Sequence, residues 1–221
     1  MDSLTCISLA ASYGASLACF DFSGCGMSEG KYVSLGYHEK DDVHTVIEFL
    51  RKRLAYTRVI LWGVSMGAVS ALLYTSFYNE IAEHVISMMI LDSPFSSLKK
   101  LAEEIVKNQK ASGVLSPLLH VAFKTVRKTI LKKAGFDIRL MELSHHVKNI
   151  HIPALFVHGK EDKFVAHYHS ELLCKEYAGK ADHLLISGDH NSPRGSDLIN
   201  IVSTFIWNNA FTKSKKKTTK P

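Results

Sequence analysis

The sequence predicts an α/β fold in which a mostly parallel sheet is covered by helices on both faces. Short apolar runs rich in β-branched residues alternate with longer segments of helical period. The runs are almost continuously apolar, as is typical of strands buried on both faces. With 221 residues, 46% of them hydrophobic, the chain can bury a full core. We expect one domain over residues 1–210 and a disordered lysine-rich tail over 211–221.

Five runs are predicted to be strands, and four segments between them have a helical pattern. The strands are Ser16–Phe22, Val59–Val64, Ile86–Leu91, Ala154–His158 and His183–Ile186. The helices are the segment with Val43, Val46, Ile47 and Leu50 on one stripe, then Gly67–Tyr78, Val165–Tyr177 and Ser196–Asn208. Cys19, in the first strand, is expected to be buried. Strand–helix alternation at this spacing indicates a doubly wound sheet.

The pattern changes between Pro94 and Ile152, where helical stretches occur without a convincing strand. In one of them Leu118, Ala122, Val126 and Ile130 recur every four residues, and lysines and arginines occupy the other faces. The favoured interpretation is a helical cap insertion over about residues 95–150 with a solvated charged face. The alternative is a lid that makes peripheral contact with an anionic or lipid surface.

The net charge of +6 is unevenly distributed. Five lysines lie in residues 212–221 and a net charge of +7 lies between Phe95 and Gly135, so the remainder is acidic. This pattern excludes a uniformly basic nucleic-acid surface.

Membrane and secretion signals are also missing from the sequence. No apolar run reaches the ~18 residues of a membrane span, and the N-terminal segment does not resemble a signal peptide. The four cysteines, at positions 6, 19, 25 and 174, have no CxxC spacing. We therefore expect a cytoplasmic protein.

The stretch ILWGVSMGAVS places Ser65 between two glycines, where a predicted strand meets a predicted helix. A serine hydroxyl is a poor nucleophile, so it must project from a tight turn toward a base. Gly63 and Gly67 would let the strand and the helix approach closely. The N–H of Met66, at the helix N-terminus, can donate to an oxyanion. This pattern predicts Ser65 as a nucleophile and Met66 as part of an oxyanion hole.

A base and an acid that could serve Ser65 follow two later strands. Asp162 and His190 are 28 residues apart, with one predicted helix and one predicted strand between them. Because the carboxyl ends of parallel strands face one crevice, both loops are expected on the same edge as Ser65. His190 would take the serine proton, and Asp162 would hold the imidazole tautomer and stabilise its charged form.

Other residues compete for these two roles. His158 also ends a strand, but it precedes the acid and reverses the expected order. Asp92 ends a strand and could be the acid, or it could cap the segment that begins at Pro94. Asp189 is adjacent to the base, which usually directs its side chain elsewhere, and Glu161 is the minor alternative to Asp162.

Two further patterns are weaker. Gly24, Gly26 and Gly30 lie in a loop whose G-x-G-x-x-x-G spacing departs from the dinucleotide-binding pattern. The histidine pairs His145–His146 and His167–His169 lack the i, i+4 geometry of a helical zinc site. We therefore predict neither a cofactor nor a metal.

Five segments, in this order, resemble the α/β-hydrolase superfamily: FDFSGCGMSEGKYVSLGYHEKDDV, WGVSMGA, ILDSPFSSL, FVHGKEDKFV and GDHNSPR. They are similar to a branch described as serine aminopeptidase-like or esterase/lipase/thioesterase. The resemblance extends from Asp2 to about Trp207. It implies an α/β-hydrolase fold with Ser65 as nucleophile, Asp162 as acid, His190 as base and Met66 as one oxyanion donor.

One part of the family pattern is missing. The family has a second oxyanion donor, which lies in an HG loop. It also has a strand that lies between the two family strands matched here by Ser16–Phe22 and Val59–Val64. Neither precedes these segments here. We expect an N-terminally incomplete chain, with a pseudoenzyme that re-pairs its sheet as the alternative.

Two functions follow from these observations. The first is a serine hydrolase that cleaves an ester, thioester or amide bond of a small-molecule, acyl or peptide substrate through an acyl-enzyme. The alternative is a catalytically impaired hydrolase-fold protein that acts as a binding module. The sequence predicts neither the substrate nor the oligomeric state.

Overall fold

Four parallel strands form a single sheet in the computed structural model, which describes residues 3–109 and 116–210, with side chains for residues 6–107 and 123–210. The strands are β1 (Val59–Val64), β2 (Ile86–Asp92), β3 (Ala154–Gly159) and β4 (Ala181–Ile186), and they lie in this order across the sheet. Four of the five predicted strands are therefore confirmed. All four carboxyl ends lie at one edge of the sheet.

Helices connect the strands and form the cap. The described residues contain α1 (Ser3–Ser12), α2 (Glu39–Leu54), α3 (Met66–Phe77), α4 (Asn79–Val85), α5 (Leu98–Gln109), α6 (Ser116–Ala134), α7 (Leu143–His146), α8 (Tyr168–Glu176) and α9 (Ser196–Ala210). Short 3-10 helices cover Ile138–Met141 and Val147–Asn149. None of the helices in these ranges combines the length and the apolarity that a bilayer crossing requires.

The sheet is covered on both faces, as the apolar strands predict. Met89 and Leu91 of β2 belong to a large core that also contains residues of α2, α3 and α8. Met88 and Ile90 point to the opposite face and pack in a second cluster with α1 and α9. Successive side chains of a strand point to opposite faces, so both faces of β2 are apolar because both are buried.

The segment predicted as a cap is helical, as expected. From Pro94 to Ile152 the described residues form helices, and their only β pairing is an isolated bridge between Ser97 and Glu142. The predicted apolar stripe of α6 is confirmed only in part, because Ile130 packs against the core but Val126 is 49% exposed. The side chains of Leu118 and Ala122, and the tail over 211–221, lie outside the described residues.

The predicted strand Ser16–Phe22 is wrong. Residues 16–21 have no strand pairing and are exposed, Cys19 included, whereas Phe22 packs against the larger core. A strand needs a hydrogen-bonded neighbour, and within the described residues β1 pairs with β2 alone. The strand-like composition of this segment is thus not sufficient for a strand. The sheet re-pairing considered above is not seen among the described residues.

Candidate active site

Ser65 occupies a tight turn between β1 and α3. Its φ of 51° and ψ of −113° lie in a region that residues other than glycine rarely adopt. A Cβ on Gly63 would lie 2.3 Å from the carbonyl carbon of Gly67, so the strand and the helix meet at Gly63. A Cβ on Gly67 would meet nothing within 4 Å. The requirement for a missing side chain, predicted for both glycines, therefore applies to Gly63 only.

The turn brings Ser65 into contact with His190. The imidazole Nε2 lies 3.0 Å from Ser65 Oγ, and Nδ1 lies 2.6 Å from Asp162 Oδ2. Both distances are within hydrogen-bonding range. His190 is carried by the loop after β4 and Asp162 by the loop after β3, so three strand ends bring the three predicted side chains together.

Asp162 is buried and surrounded by donors. Its Oδ1 accepts the backbone N–H groups of Phe164 and Val165 at 2.9 and 2.8 Å. Burial by itself would raise the pKa of Asp162, but hydrogen bonds from His158, His190 and the Val165 N–H outweigh burial and hold the pKa well below its usual range. The carboxylate therefore stays ionised at neutral pH and can hold a protonated Nδ1 of His190.

His158 contributes to this acid rather than to the serine. Its ring is fully buried, with Nε2 at 3.2 Å from Asp162 Oδ2 and 2.8 Å from the Val165 carbonyl oxygen. Because both neighbours are acceptors, Nε2 carries a proton and donates it. Nδ1 lies 2.8 Å from Ser170 Oγ. The sequence pattern indicated His158 as a competing base, and it did not indicate this contact with the acid.

The other candidate acids are occupied elsewhere. Asp92 is fully buried and forms an ion pair with Arg194. Asp189 accepts hydrogen bonds within its own loop, and Glu161 accepts a backbone N–H of the same loop. Of the four acids considered, only Asp162 contacts the base. Arg194 is part of the quoted GDHNSPR segment, but no role was predicted for it.

Two further residues border the site. Met66 is the first residue of α3, and the N–H groups of a first helical turn have no acceptor within the helix. The Met66 N–H is therefore available where the sequence predicted an oxyanion donor. The Phe164 ring lies 5.1 Å from the His190 imidazole and is 53% exposed, and no sequence pattern predicts this contact.

The glycine-rich loop near Gly26 encloses the side chain of Asp21. A Cβ on Gly26 would lie 2.2 Å from the Asp21 carboxylate, which accepts the N–H of Met27 at 3.0 Å. A negative charge thus occupies the turn in which a bound phosphate would have to lie.

A family model described as the alpha/beta hydrolase fold matches residues 6–112. Together with the sheet order and the strand–turn–helix at Ser65, this match decides the fold. The chain has the α/β-hydrolase fold, and residues 6–112 are similar in sequence to that family.

A curated relative of the chain is the uncharacterized protein YqkD of Bacillus subtilis, 28% identical over 194 residues. The match covers 86% of this chain and 60% of the relative, so the chain spans about three fifths of that protein's length.

Solved structures share the fold at low identity. The esterase Pf2001 of Pyrococcus furiosus has a TM-score of 0.69 and 18% identity, with 93% of this chain and 75% of the esterase covered. Mouse alpha/beta hydrolase domain-containing protein 10 has a TM-score of 0.63 and 18% identity, with coverage of 92% and 81%. A lipase-esterase related protein of Clostridium acetobutylicum has a TM-score of 0.60 and 21% identity, with coverage of 90% and 88%.

Proposed function

We propose that this protein of α/β-hydrolase fold is a serine hydrolase that cleaves an ester, thioester or amide bond through an acyl-enzyme. The observation that carries the proposal is the pair of contacts made by His190, at 3.0 Å to Ser65 Oγ and 2.6 Å to Asp162 Oδ2. A nucleophile, a base and an orienting acid in this arrangement are what acyl transfer requires.

In the first half of the reaction, Ser65 Oγ attacks the carbonyl carbon of the substrate. The serine proton passes to Nε2 of His190, while the Asp162 carboxylate holds the Nδ1–H and stabilises the imidazolium. The Met66 N–H donates to the oxyanion. When the intermediate collapses, the bond to the leaving group breaks, and the leaving group takes the proton from Nε2.

The second half repeats these steps with water. Nε2 takes one proton of the water as its oxygen attacks the acyl carbon, and the bond to Ser65 Oγ then breaks. The proton on Nε2 returns to the serine oxygen, so that the acid product leaves and the enzyme is restored.

Esters and thioesters are placed ahead of amides as substrates. Two of the proteins with this fold are the esterase Pf2001 and a lipase-esterase related protein, which supports this order. The cytoplasm is the proposed compartment, because the four cysteines, at positions 6, 19, 25 and 174, have no CxxC spacing.

A second candidate function is a binding module that uses the cap. Lys124 and Lys128 are exposed on α6 and would favour an anionic or lipid surface. Under this hypothesis the folded chain does not react with a serine-hydrolase probe, and Lys124→Glu/Lys128→Glu abolishes sedimentation with vesicles of anionic lipid.

The test of the proposed function is covalent labelling with a fluorophosphonate. We expect the chain to be labelled on Ser65, and Ser65→Ala and His190→Ala to lose the label. Ser87→Ala and His151→Ala are matched controls away from the site, and circular dichroism shows whether each variant is folded. A folded wild-type chain that remains unlabelled, or a Ser65→Ala variant that labels equally, would refute the proposal.

A further inference from the structure

Arg194 lies four residues after His190, in the same loop between β4 and α9. Its side chain is only 7% exposed. Nε and Nη2 donate to the two carboxylate oxygens of Asp92 at 2.9 and 3.0 Å, and Nη1 donates to the Asp189 carbonyl oxygen at 2.9 Å. The guanidinium therefore links the end of β2 to the residue directly before His190.

The contact between Arg194 and Asp92 fixes direction as well as distance. A guanidinium and a carboxylate that meet through two parallel hydrogen bonds can adopt few relative orientations. The carboxylate is completely buried, so removal of its cation would leave an uncompensated charge in the interior. Ser93 Oγ adds a contact at 3.2 Å to Nη2. The pair is thus held rigidly at the end of the strand.

Asp92 also contacts the serine turn. Its carbonyl oxygen accepts the Ser65 N–H at 2.7 Å, while its side chain holds Arg194. The contacts therefore form a closed ring that runs from the Ser65 backbone through Asp92 and Arg194 to Asp189, and returns through His190 to Ser65 Oγ. Asp92 of β2 thus contacts both the backbone of Ser65 and, through Arg194, the loop that carries His190.

The end of β3 packs against the same loop. A Cβ on Gly159 would lie 2.3 Å from the Gly188 carbonyl oxygen and 3.2 Å from Arg194 Nη1. The loop backbone therefore packs directly against the strand end. Arg194 draws the loop toward β2, and Gly159 limits how closely it can approach β3.

We propose that Arg194 is a positioning residue for His190. Arg194 acts through Asp92 to set the distance between His190 Nε2 and Ser65 Oγ. The consequence for reaction rate rests on the proposed function. The consequence for the geometry of the His190 ring does not, because the ring contacts exist whether or not acyl transfer occurs.

Two conservative substitutions test this role. Arg194→Lys keeps the positive charge but loses the planar pair of donors, and Asp92→Asn keeps the side-chain shape but loses the negative charge. Arg139→Lys is the matched control, because Arg139 also contacts an aspartate, Asp137, through Nε and Nη2, but in the cap.

Two readouts are measured on the full chain, with circular dichroism to confirm folding. The first is the rate of fluorophosphonate labelling as a function of pH. The second is the ¹⁵N chemical shifts of the His190 ring, which report the protonation and the hydrogen bonding of each nitrogen. We expect both site variants to label up to about 100-fold more slowly, since a displacement of about 1 Å at a reacting group has an effect of this size.

Two further results are expected, one for the ¹⁵N shifts of the His190 ring and one for the labelling rate of the double variant. The Nε2 shift of His190 should change in each site variant, because the hydrogen bond between Nε2 and Ser65 Oγ is altered, and it should remain unchanged in Arg139→Lys. The double variant should label no more slowly than the slower single variant, because both substitutions remove one shared contact.

Wild-type labelling rates with unchanged ring shifts in both site variants would overturn the inference. Slower labelling with unchanged ring shifts would also overturn it. If the wild-type chain does not label at all, the proposed function fails, and the ring shifts alone decide whether Arg194 positions His190. If Arg194→Lys does not fold, Asp92→Asn decides.

Discussion

His158 and Asp162 form a fully buried pair, in which Nε2 of the imidazole lies 3.2 Å from Oδ2 of the carboxylate. The same carboxylate oxygen contacts His190 at 2.6 Å, so the candidate acid lies between two histidines. Only one of these histidines reaches Ser65. His158 instead contacts the acid within the protein interior.

Replacing His158 by leucine is expected to lower the free energy of unfolding by about 1–3 kcal/mol, because a buried charged acceptor loses a donor. The pKa of Asp162 should rise, since the hydrogen bond from His158 is one of the contacts that lower it. Urea unfolding at neutral pH measures the first effect. His151→Leu, at an exposed position, is the control, and equal stability of the two variants would contradict this interpretation of the contact.

Asp162→Asn is expected to slow fluorophosphonate labelling by about 10³–10⁴-fold, because an amide cannot hold the reactive imidazole tautomer or stabilise its charged form. Glu161→Gln is the matched control, since the neighbouring residue undergoes the same acid-to-amide exchange. Its side chain accepts a backbone N–H from Gly188, which an amide oxygen can also do. A larger effect of Glu161→Gln than of Asp162→Asn would reverse the assignment of the acid.

Gly63→Ala and Gly67→Ala should have opposite effects on stability. A methyl group on Gly63 would collide with the backbone of α3, which must then shift, at a cost of about 1–3 kcal/mol or more. Gly67 has open space and lies within the helix, where alanine is favoured by about 0.5–1 kcal/mol. Thermal unfolding of the two variants checks the prediction, and destabilisation of similar size in both would disprove it.

His169 connects α8 to the cap through a contact that depends on pH. Its Nδ1 accepts the Ser96 N–H at 3.2 Å, so the proton is on Nε2, which lies 3.1 Å from Glu104. Burial lowers the pKa of His169 even though Glu104 acts in the opposite direction. The unfolded chain takes up this proton near pH ~6.5 and the folded chain only at lower pH. The contribution of His169 to the free energy of unfolding is therefore fully present above about pH 6.5 and decreases as the pH falls below this value.

His169→Gln is expected to reduce the slope of unfolding free energy against pH between about pH 6.5 and 5. A single proton contributes at most about 1.4 kcal/mol per pH unit. The slope should be reduced rather than abolished, because burial also lowers the pKa of His146 and His183. Urea titrations at several pH values measure it, with the exposed His167→Gln as control. An unchanged slope in His169→Gln would show that this histidine does not titrate as described.

The sequence by itself determined the four paired strands, the helices that follow them and the residue types of the site. The turn at Ser65 could be predicted because strand, turn and helix signals occur within eleven consecutive residues. His190 and Asp162 could be placed on the same edge because parallel strands joined by helices must present their carboxyl ends together. These are consequences of local backbone preference and of the alternation of apolar runs.

Tertiary structure alone decided which partners meet. Asp92 and Arg194 are 102 residues apart, and nothing in either segment indicates that the two side chains pair. The choice of Asp162 among four acids depends on distances of about one side-chain length, which no spacing along the chain specifies. The segment 16–22 has the composition of a strand but no neighbour to pair with. A sequence pattern reports what a segment can do with its own backbone, whereas ion pairs, buried histidines and strand pairing depend on what packing brings beside it.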